Sequence, residues 1–167
     1  MVQVKSCTVF DCSSHLISHQ KMASFKEVIV ARILVVDDDA GVAMVVGGML
    51  AHLAGHHVTV TTTIDEAMAT VVVLPAAPFD LVVVDYDITD SGTCFSLLSR
   101  GLDECPDLFP RRVLIMSDTF PSDMDEQLAR ICGQGFIPFC IQKPFKMHVL
   151  EPFVSYLLSL QHAPAAP

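Results

Sequence analysis

From residue 32 onward the chain alternates between two textures, and this alternation constrains the fold more than any other feature. Short runs that are almost wholly apolar stand at 33–36, 58–60, 81–84, 113–116 and 137–141. Segments of helical length separate them, at 40–54, 64–74, 93–102, 122–132 and 147–160. A strand that is apolar on both faces must be buried on both, which calls for a parallel sheet with helices packed above and below. Five strands alternating with five helices predict an α/β domain of the (βα)5 type.

Several boundaries have a local cause. Asp39 is placed to cap the first helix, and Gly55 stands where a helix C-cap glycine belongs. Pro75 and Pro78 end the second helix before the third strand. Gly47 and Gly48 inside the first helix cost about 1 kcal/mol each relative to alanine, a loss that close packing on a neighbour would explain. Thr61, Thr62 and Thr63 read as strand and turn residues. A chain of 167 residues fits one compact domain. Residues 1–30 have no clean period of 2 or 3.6 and are expected to form an N-terminal extension. The domain is expected over 31–160, with a flexible Pro/Ala-rich tail at 161–167.

Composition removes several classes of function. Lys and Arg number 10 against 19 Asp and Glu, a net charge of −9, and no stretch holds more than two adjacent basic residues. Such a surface does not attract nucleic acid or an anionic membrane. The longest apolar run, 67–79, is interrupted by Thr70, Pro75 and Pro78 and falls short of the ~20 residues of a membrane span. Asp11, His15 and His19 break the pattern of a signal peptide, so a cytoplasmic location is expected. Six cysteines (Cys7, Cys12, Cys94, Cys105, Cys132 and Cys140) include no C-x-x-C pair and read as reduced thiols, with Cys94 and Cys132 packed against the sheet. Cys7, Cys12, His15 and His19 include metal-ligand types, but the two residues between Cys12 and His15 leave too short a spacer to wrap zinc. His52, His56 and His57 cluster around a helix end and read as packing residues.

In an open parallel sheet, functional groups collect beyond the carboxyl ends of the strands. Those ends carry Asp37-Asp38-Asp39 after the first strand, Asp85 after the third, Ser117 at the fourth and Lys143-Pro144 after the fifth. Carboxylates from neighbouring strands repel unless a cation sits among them, and an oxygen-only ligand set suits Mg²⁺. Asp37, Asp38 and Asp85 together carry three negative charges, which one Mg²⁺ and Lys143 would cancel. The Ser117 hydroxyl and the Lys143 ammonium would bind two oxygens of a phosphoryl group. Asp85 is then the nucleophile, attacking phosphorus to give an aspartyl phosphate.

The segments ILVVDDD (33–39), DLVVVD (80–85), VLIMS (113–117) and QKPF (142–145) resemble a response-regulator receiver domain of the CheY-like superfamily, over about residues 31–160. The resemblance implies a flavodoxin-like three-layer sandwich with a parallel sheet of order 2-1-3-4-5. It makes Asp37 and Asp38 the acidic pair, Asp85 the phospho-acceptor, Ser117 the hydroxyl and Lys143 the lysine. It also implies Mg²⁺ held by Asp37, Asp38, Asp85 and the backbone carbonyl of Asp87, and a cis Lys143–Pro144 bond. The phosphoryl group would come from a histidine kinase or phosphotransfer protein, and the output would be a conformational change read by a downstream protein. Such a domain is no enzyme beyond its own phosphorylation and dephosphorylation. With no room for a DNA-binding domain after residue 160, a single-domain response regulator is expected.

Departures from the family pattern shape the expectations further. Ile88 and Thr89 replace the usual Met-Pro after the acceptor, and Gly92 comes one residue early. Asp118 stands where a small residue is usual, and is expected to gate the phosphoryl site by charge and bulk. About four extra residues lie between Ser117 and Lys143. The usual switch aromatic is replaced by Cys140, with Phe139 beside it, so Ser117, Phe139 and Cys140 are the candidate switch residues. Two rival readings remain. A non-phosphorylated pseudo-receiver binding module would show a lost acid or lysine, and none is lost. A haloacid-dehalogenase-like phosphohydrolase would use DYDIT (85–89), but needs an acidic pair after the lysine, where only Glu151 follows.

Overall fold

Five parallel strands form one sheet: β1 (Arg32–Val36), β2 (His57–Thr61), β3 (Leu81–Asp85), β4 (Arg112–Ser117) and β5 (Ile137–Gln142). Their spatial order is β2-β1-β3-β4-β5, the 2-1-3-4-5 arrangement. The computed structural model describes residues 30–73, 78–88 and 92–160. Helices α1 (Ala40–Gly48), α2 (Ile64–Val73), α3 (Cys94–Glu104), α4 (Met124–Gly133) and α5 (Met147–Ser159) make the connections. A two-residue antiparallel ladder, Asp87–Ile88 with Gly92–Thr93, lies between β3 and α3.

Strand alternation divides the core into two layers. Ile33 and Val35 of β1 pack with Val46 and Leu50 from the α1 segment and with Leu150, Val154 and Leu157 of α5. Leu34 and Val36 lie in the other layer, with Met68 of α2, Leu97 of α3 and Leu128 of α4. In β3, Leu81 and Val83 face the first layer, Val82 and Val84 the second. Each such side chain, fully removed from water, contributes about 1.5–3 kcal/mol, which is why the three central strands carry polar residues only at their ends, Arg32, Asp85, Arg112 and Ser117. β2 is an edge strand, with His57 and Val60 exposed.

The first predicted helix, 40–54, contains a change of winding. α1 passes at Met49–Leu53 into a single π-helical turn, and the chain reverses at Gly55 with φ 77°. Gly47 is explained by proximity, since a Cβ there would stand 2.6 Å from Cγ2 of Val60 on β2. Gly48 has nothing within 4 Å of its Cβ position, and packing does not account for it. Pro75, the predicted helix end at Leu74 and Thr89 fall outside the described residues. So do the N-terminal extension with Cys7, Cys12, His15 and His19, and the tail.

Two packing details carry stability. A Cβ on Gly101 of α3 would overlap the ring of Phe109, itself 3% exposed. Gly101→Ala gains about 1 kcal/mol of helix propensity but overpacks the core, at a cost of about 1–3 kcal/mol. The expected outcome is a melting temperature lower by a few degrees; a rise would show that Phe109 yields freely. At the amino end of β4, the buried Arg112 guanidinium donates to the Leu160 carbonyl at 2.6 and 3.2 Å and to the Asp80 carbonyl at 3.5 Å. It ties the end of α5 and the start of β3 to the sheet. Among the described residues, no helix is long and apolar enough to cross a membrane.

Candidate functional site

The run of three aspartates after β1 divides into three jobs. Asp37 is buried, and its Oδ1 accepts the Asp39 N–H at 3.0 Å. Asp39 caps α1, its carboxylate accepting from Gly41 N–H at 2.8 Å and Val42 N–H at 3.1 Å. Asp38 lies between them, nearer the surface. Asp85 ends β3, and Lys143 follows β5 through a strand end fixed by its N–H bond to the Ser117 carbonyl at 2.7 Å. The Lys143 ammonium donates to Asp37 Oδ2 at 2.7 Å and pairs with Asp85 Oδ1 at 2.8 Å. The Lys143–Pro144 bond is cis.

Burial raises the Asp85 carboxyl above its ordinary pKa; Lys143 pulls the other way, and the charges of Asp37 and Asp38 add to the rise. Burial alone would lower the Lys143 ammonium, but its hydrogen bonds and charge pairing with Asp37 and Asp85 outweigh that and hold it above its ordinary value. The lysine is therefore a fixed cation at neutral pH.

Asp37, Asp38 and Asp85 can each offer one carboxylate oxygen within 4.8 Å of the others. An octahedral magnesium ion holds its oxygens at about 2.1 Å, so its ligand pairs stand about 3–4 Å apart, a span that small side-chain rotations reach. The residues fit a hard divalent cation. Asp87 is exposed in the short ladder beyond β3. His52, His56 and His57 form no such group among the described residues. His56 accepts the Ala31 N–H on Nδ1 at 3.3 Å, and burial lowers its pKa.

A cavity of about 500 Å³ opens over these groups, lined by Asp37, Asp38, Asp85 and Lys143 and at its rim by Asp118. Ser117 is buried. Its hydroxyl donates to the Thr119 carbonyl at 2.6 Å and accepts the Thr119 N–H at 3.2 Å, and it does not line the cavity. The Asp118 carbonyl accepts from Gln142 Nε2 at 3.0 Å. The two remaining switch candidates face opposite ways. Cys140 is buried in the layer of α2, α3 and α4, while Phe139 packs in the layer of α1 and α5, its ring 5.6 Å edge-to-face from Tyr156. Cys94 is buried in the core, and burial pushes its thiol well up; Cys132 is partly buried.

Sequence reasoning missed one wall of the cavity. Val42, Val45, Val46 and Met49 of the first helical segment and Phe145 after the lysine line it. The four helical positions follow the i, i+3, i+4, i+7 spacing of one face, starting three residues after the capping Asp39. That signal was hidden because Met44 and Leu50 make the helix apolar on its other faces too.

The order of the parallel sheet, with α1 and α5 on one side and α2 to α4 on the other, is the fold of response-regulator receiver domains. The structure is similar to chemotaxis protein CheY4 of Vibrio cholerae, with 20% identity, a TM-score of 0.61, and 77% of this chain and 99% of that chain covered. It is similar to a response regulator receiver protein from Burkholderia phymatum, at 20% identity and TM-score 0.60, covering 80% and 98%. It also matches the BeF3-activated DrrB receiver domain, at 20% identity and TM-score 0.58, covering 79% and 100%. No family model and no curated protein matches the sequence.

Proposed function

We propose that the chain is a phosphoryl-accepting receiver in two-component signalling, with Asp85 as the acceptor. The observation that carries this reading is Lys143 bridging Asp37 and Asp85 at 2.7 and 2.8 Å, at the carboxyl end of a receiver-type sheet. A carboxylate oxygen of Asp85 attacks phosphorus, the bond from phosphorus to the donor breaks, and its electron pair leaves with the donor. For a phosphohistidine protein, the donor's imidazole nitrogen takes that pair. Lys143 binds a phosphoryl oxygen, and Ser117 binds a second after leaving its partner Thr119. Magnesium, held by Asp37, Asp38, Asp85 and the Asp87 backbone carbonyl, would supply positive charge against the dianionic phosphoryl group.

The reading is tested by intact-mass measurement after incubation with acetyl phosphate, with Mg²⁺ or with EDTA. One added phosphoryl group is expected with the metal and none without it. No gain under either condition favours a binding module that is never phosphorylated. The hydrolase alternative gains nothing from the geometry. Glu151, its required acid, lies on α5 and accepts from Ser155 at 2.9 Å, away from the cavity.

Asp118 at the cavity rim gives a separate prediction. A carboxylate about 7 Å from an incoming phosphate repels it by roughly 2 kcal/mol at an effective dielectric near 20, before salt screening. With half of that surviving, Asp118→Ala speeds phosphorylation by small donors several-fold, and Asp118→Asn by less because it keeps the bulk. The gain shrinks at high ionic strength. Parental rates for both variants at low salt would leave Asp118 as a solvated loop residue.

A further inference from the structure

The cavity has two chemically distinct halves. Its floor is acidic, with Asp37, Asp38 and Asp85 around Lys143 and with Asp39 and Asp118 also lining it; its wall is Val42, Val45, Val46, Met49 and Phe145. The wall stands on the core layer of α1 and α5, with Val46 buried and Val42 and Met49 partly buried, and Val45, 57% exposed, carries it out to solvent. No Asp, Glu, Lys or Arg occurs anywhere in 40–54, so on that side the only charge bordering the groove among the described residues is the capping Asp39 at the helix start. A cavity of about 500 Å³ lies within the usual range of small-ligand sites, about 300–1,000 Å³. With a divalent cation among the carboxylates of Asp37, Asp38 and Asp85 and the Lys143 ammonium beside it, the floor would take a phosphate head, and the apolar wall next to it an apolar tail.

Resting on Asp85 as the acceptor, we propose that the groove seats the apolar leaving group of a small phosphodonor, and that the site prefers acyl phosphates with a longer chain or a ring over acetyl phosphate. In an in-line displacement the leaving oxygen lies opposite the attacking one. With Asp85 at the floor, the leaving acyl group points outward along the apolar wall. The Asp85 oxygen–phosphorus bond forms, the phosphorus–oxygen bond of the acyl phosphate breaks, and its electron pair leaves as the free carboxylate. No proton or further reactant is needed for the charges to balance. Each methylene moved from water onto such a wall is worth about fourfold in binding. Butyryl phosphate adds two methylenes to acetyl phosphate, and on a wall open to solvent on one side the expected rate advantage is about four- to tenfold.

The experiment compares second-order rates of Asp85 phosphorylation by acetyl, butyryl and benzoyl phosphate, with phosphoramidate as a donor that has no apolar part. The butyryl-to-acetyl ratio should be about four to ten in the parent and fall toward one in Val45→Ser and Met49→Gln. Binding gives a readout independent of transfer. Phenylphosphonate with Mg²⁺ should bind about tenfold more tightly than methylphosphonate. It should also shift the methyl NMR signals of Val45 and Met49. Equal rates for all acyl donors together with equal phosphonate affinities overturn the proposal, and leave the wall to a protein partner. Failure of every donor, phosphoramidate included, instead overturns the acceptor reading, and the phosphonate comparison then decides on the groove alone.

Discussion

Asp85→Asn is expected to abolish acceptance of a phosphoryl group and, at neutral pH without metal, to make the fold more stable. The first effect follows because an amide oxygen is no nucleophile towards phosphorus and no other carboxylate shares its position at the end of β3. The second follows from the electrostatics of the site. Asp85 is mostly buried beside Asp37 and Asp38, and Lys143 only partly offsets the rise in its pKa. A group whose pKa is raised in the folded state binds its proton more tightly there than in the unfolded chain. Its stabilising contribution is therefore present in acid and lost as pH rises through the folded pKa. Asparagine removes that loss and leaves Lys143 its stronger partner, Asp37. A gain on the order of 1 kcal/mol corresponds to about two to four degrees in melting temperature for a chain of this size. The difference from the parent should shrink as the pH is lowered. Phosphoryl uptake persisting in the variant would move the acceptor elsewhere, and a lower melting temperature at pH 7 in EDTA would contradict the electrostatic account.

Lys143→Met is expected to have the opposite sign and a larger size. The ammonium side chain is 14% exposed and its partner Asp37 is 1% exposed, so its removal leaves a cluster of carboxylates with no cation among them. Breaking a fully buried pair by deleting one partner costs about 3–5 kcal/mol; here, where solvent reaches the cavity, about 2–3 kcal/mol is expected. In EDTA the variant should melt roughly 5–10 degrees below the parent. Mg²⁺ at about a hundred times its dissociation constant contributes about 2.7 kcal/mol, enough to bring the variant close to the stability of the parent in EDTA, and at one Mg²⁺ concentration the gap between the two narrows by their difference in affinity. The variant should also bind Mg²⁺ more tightly than the parent, because its site carries one more net negative charge. Melting curves for both proteins, with and without the metal, decide the matter. Equal stability in EDTA, or a deficit that Mg²⁺ leaves untouched, would contradict the pairing of metal and lysine in one site.

The sheet was legible because burial on both faces leaves a compositional mark that no loop imitates. Each predicted strand, from 33–36 to 137–141, lies inside an observed one that exceeds it by one or two residues, because the polar or threonine residues at the strand ends carry no apolar mark. The places of Asp37, Asp38, Asp85 and Lys143 were legible for the same reason, since each follows an apolar run that fixes where its strand ends. The partner of the Ser117 hydroxyl was not. It depends on the path of residues 118–119, and a hydroxyl takes whichever acceptor a loop brings near. Phe139 and Cys140 show information present but unused, since neighbours in a strand point to opposite faces and only one of them can lie on the side of α3 and α4. The π-helical turn after α1 left no trace, because its residues Met49 to Leu53 are as suited to an ordinary helix.

Lys143 and Asp37 meet across 106 positions of chain. That separation gives the site a history as well as a geometry. The carboxylates belong to the first and third strands to be synthesised, whereas their cation arrives with the fifth. A partly made chain carries the acids without the ammonium that pairs them, so chemical competence comes last, with the closing of the sheet. On the reading proposed above, the chain can accept a phosphoryl group only once its fifth strand has joined the sheet.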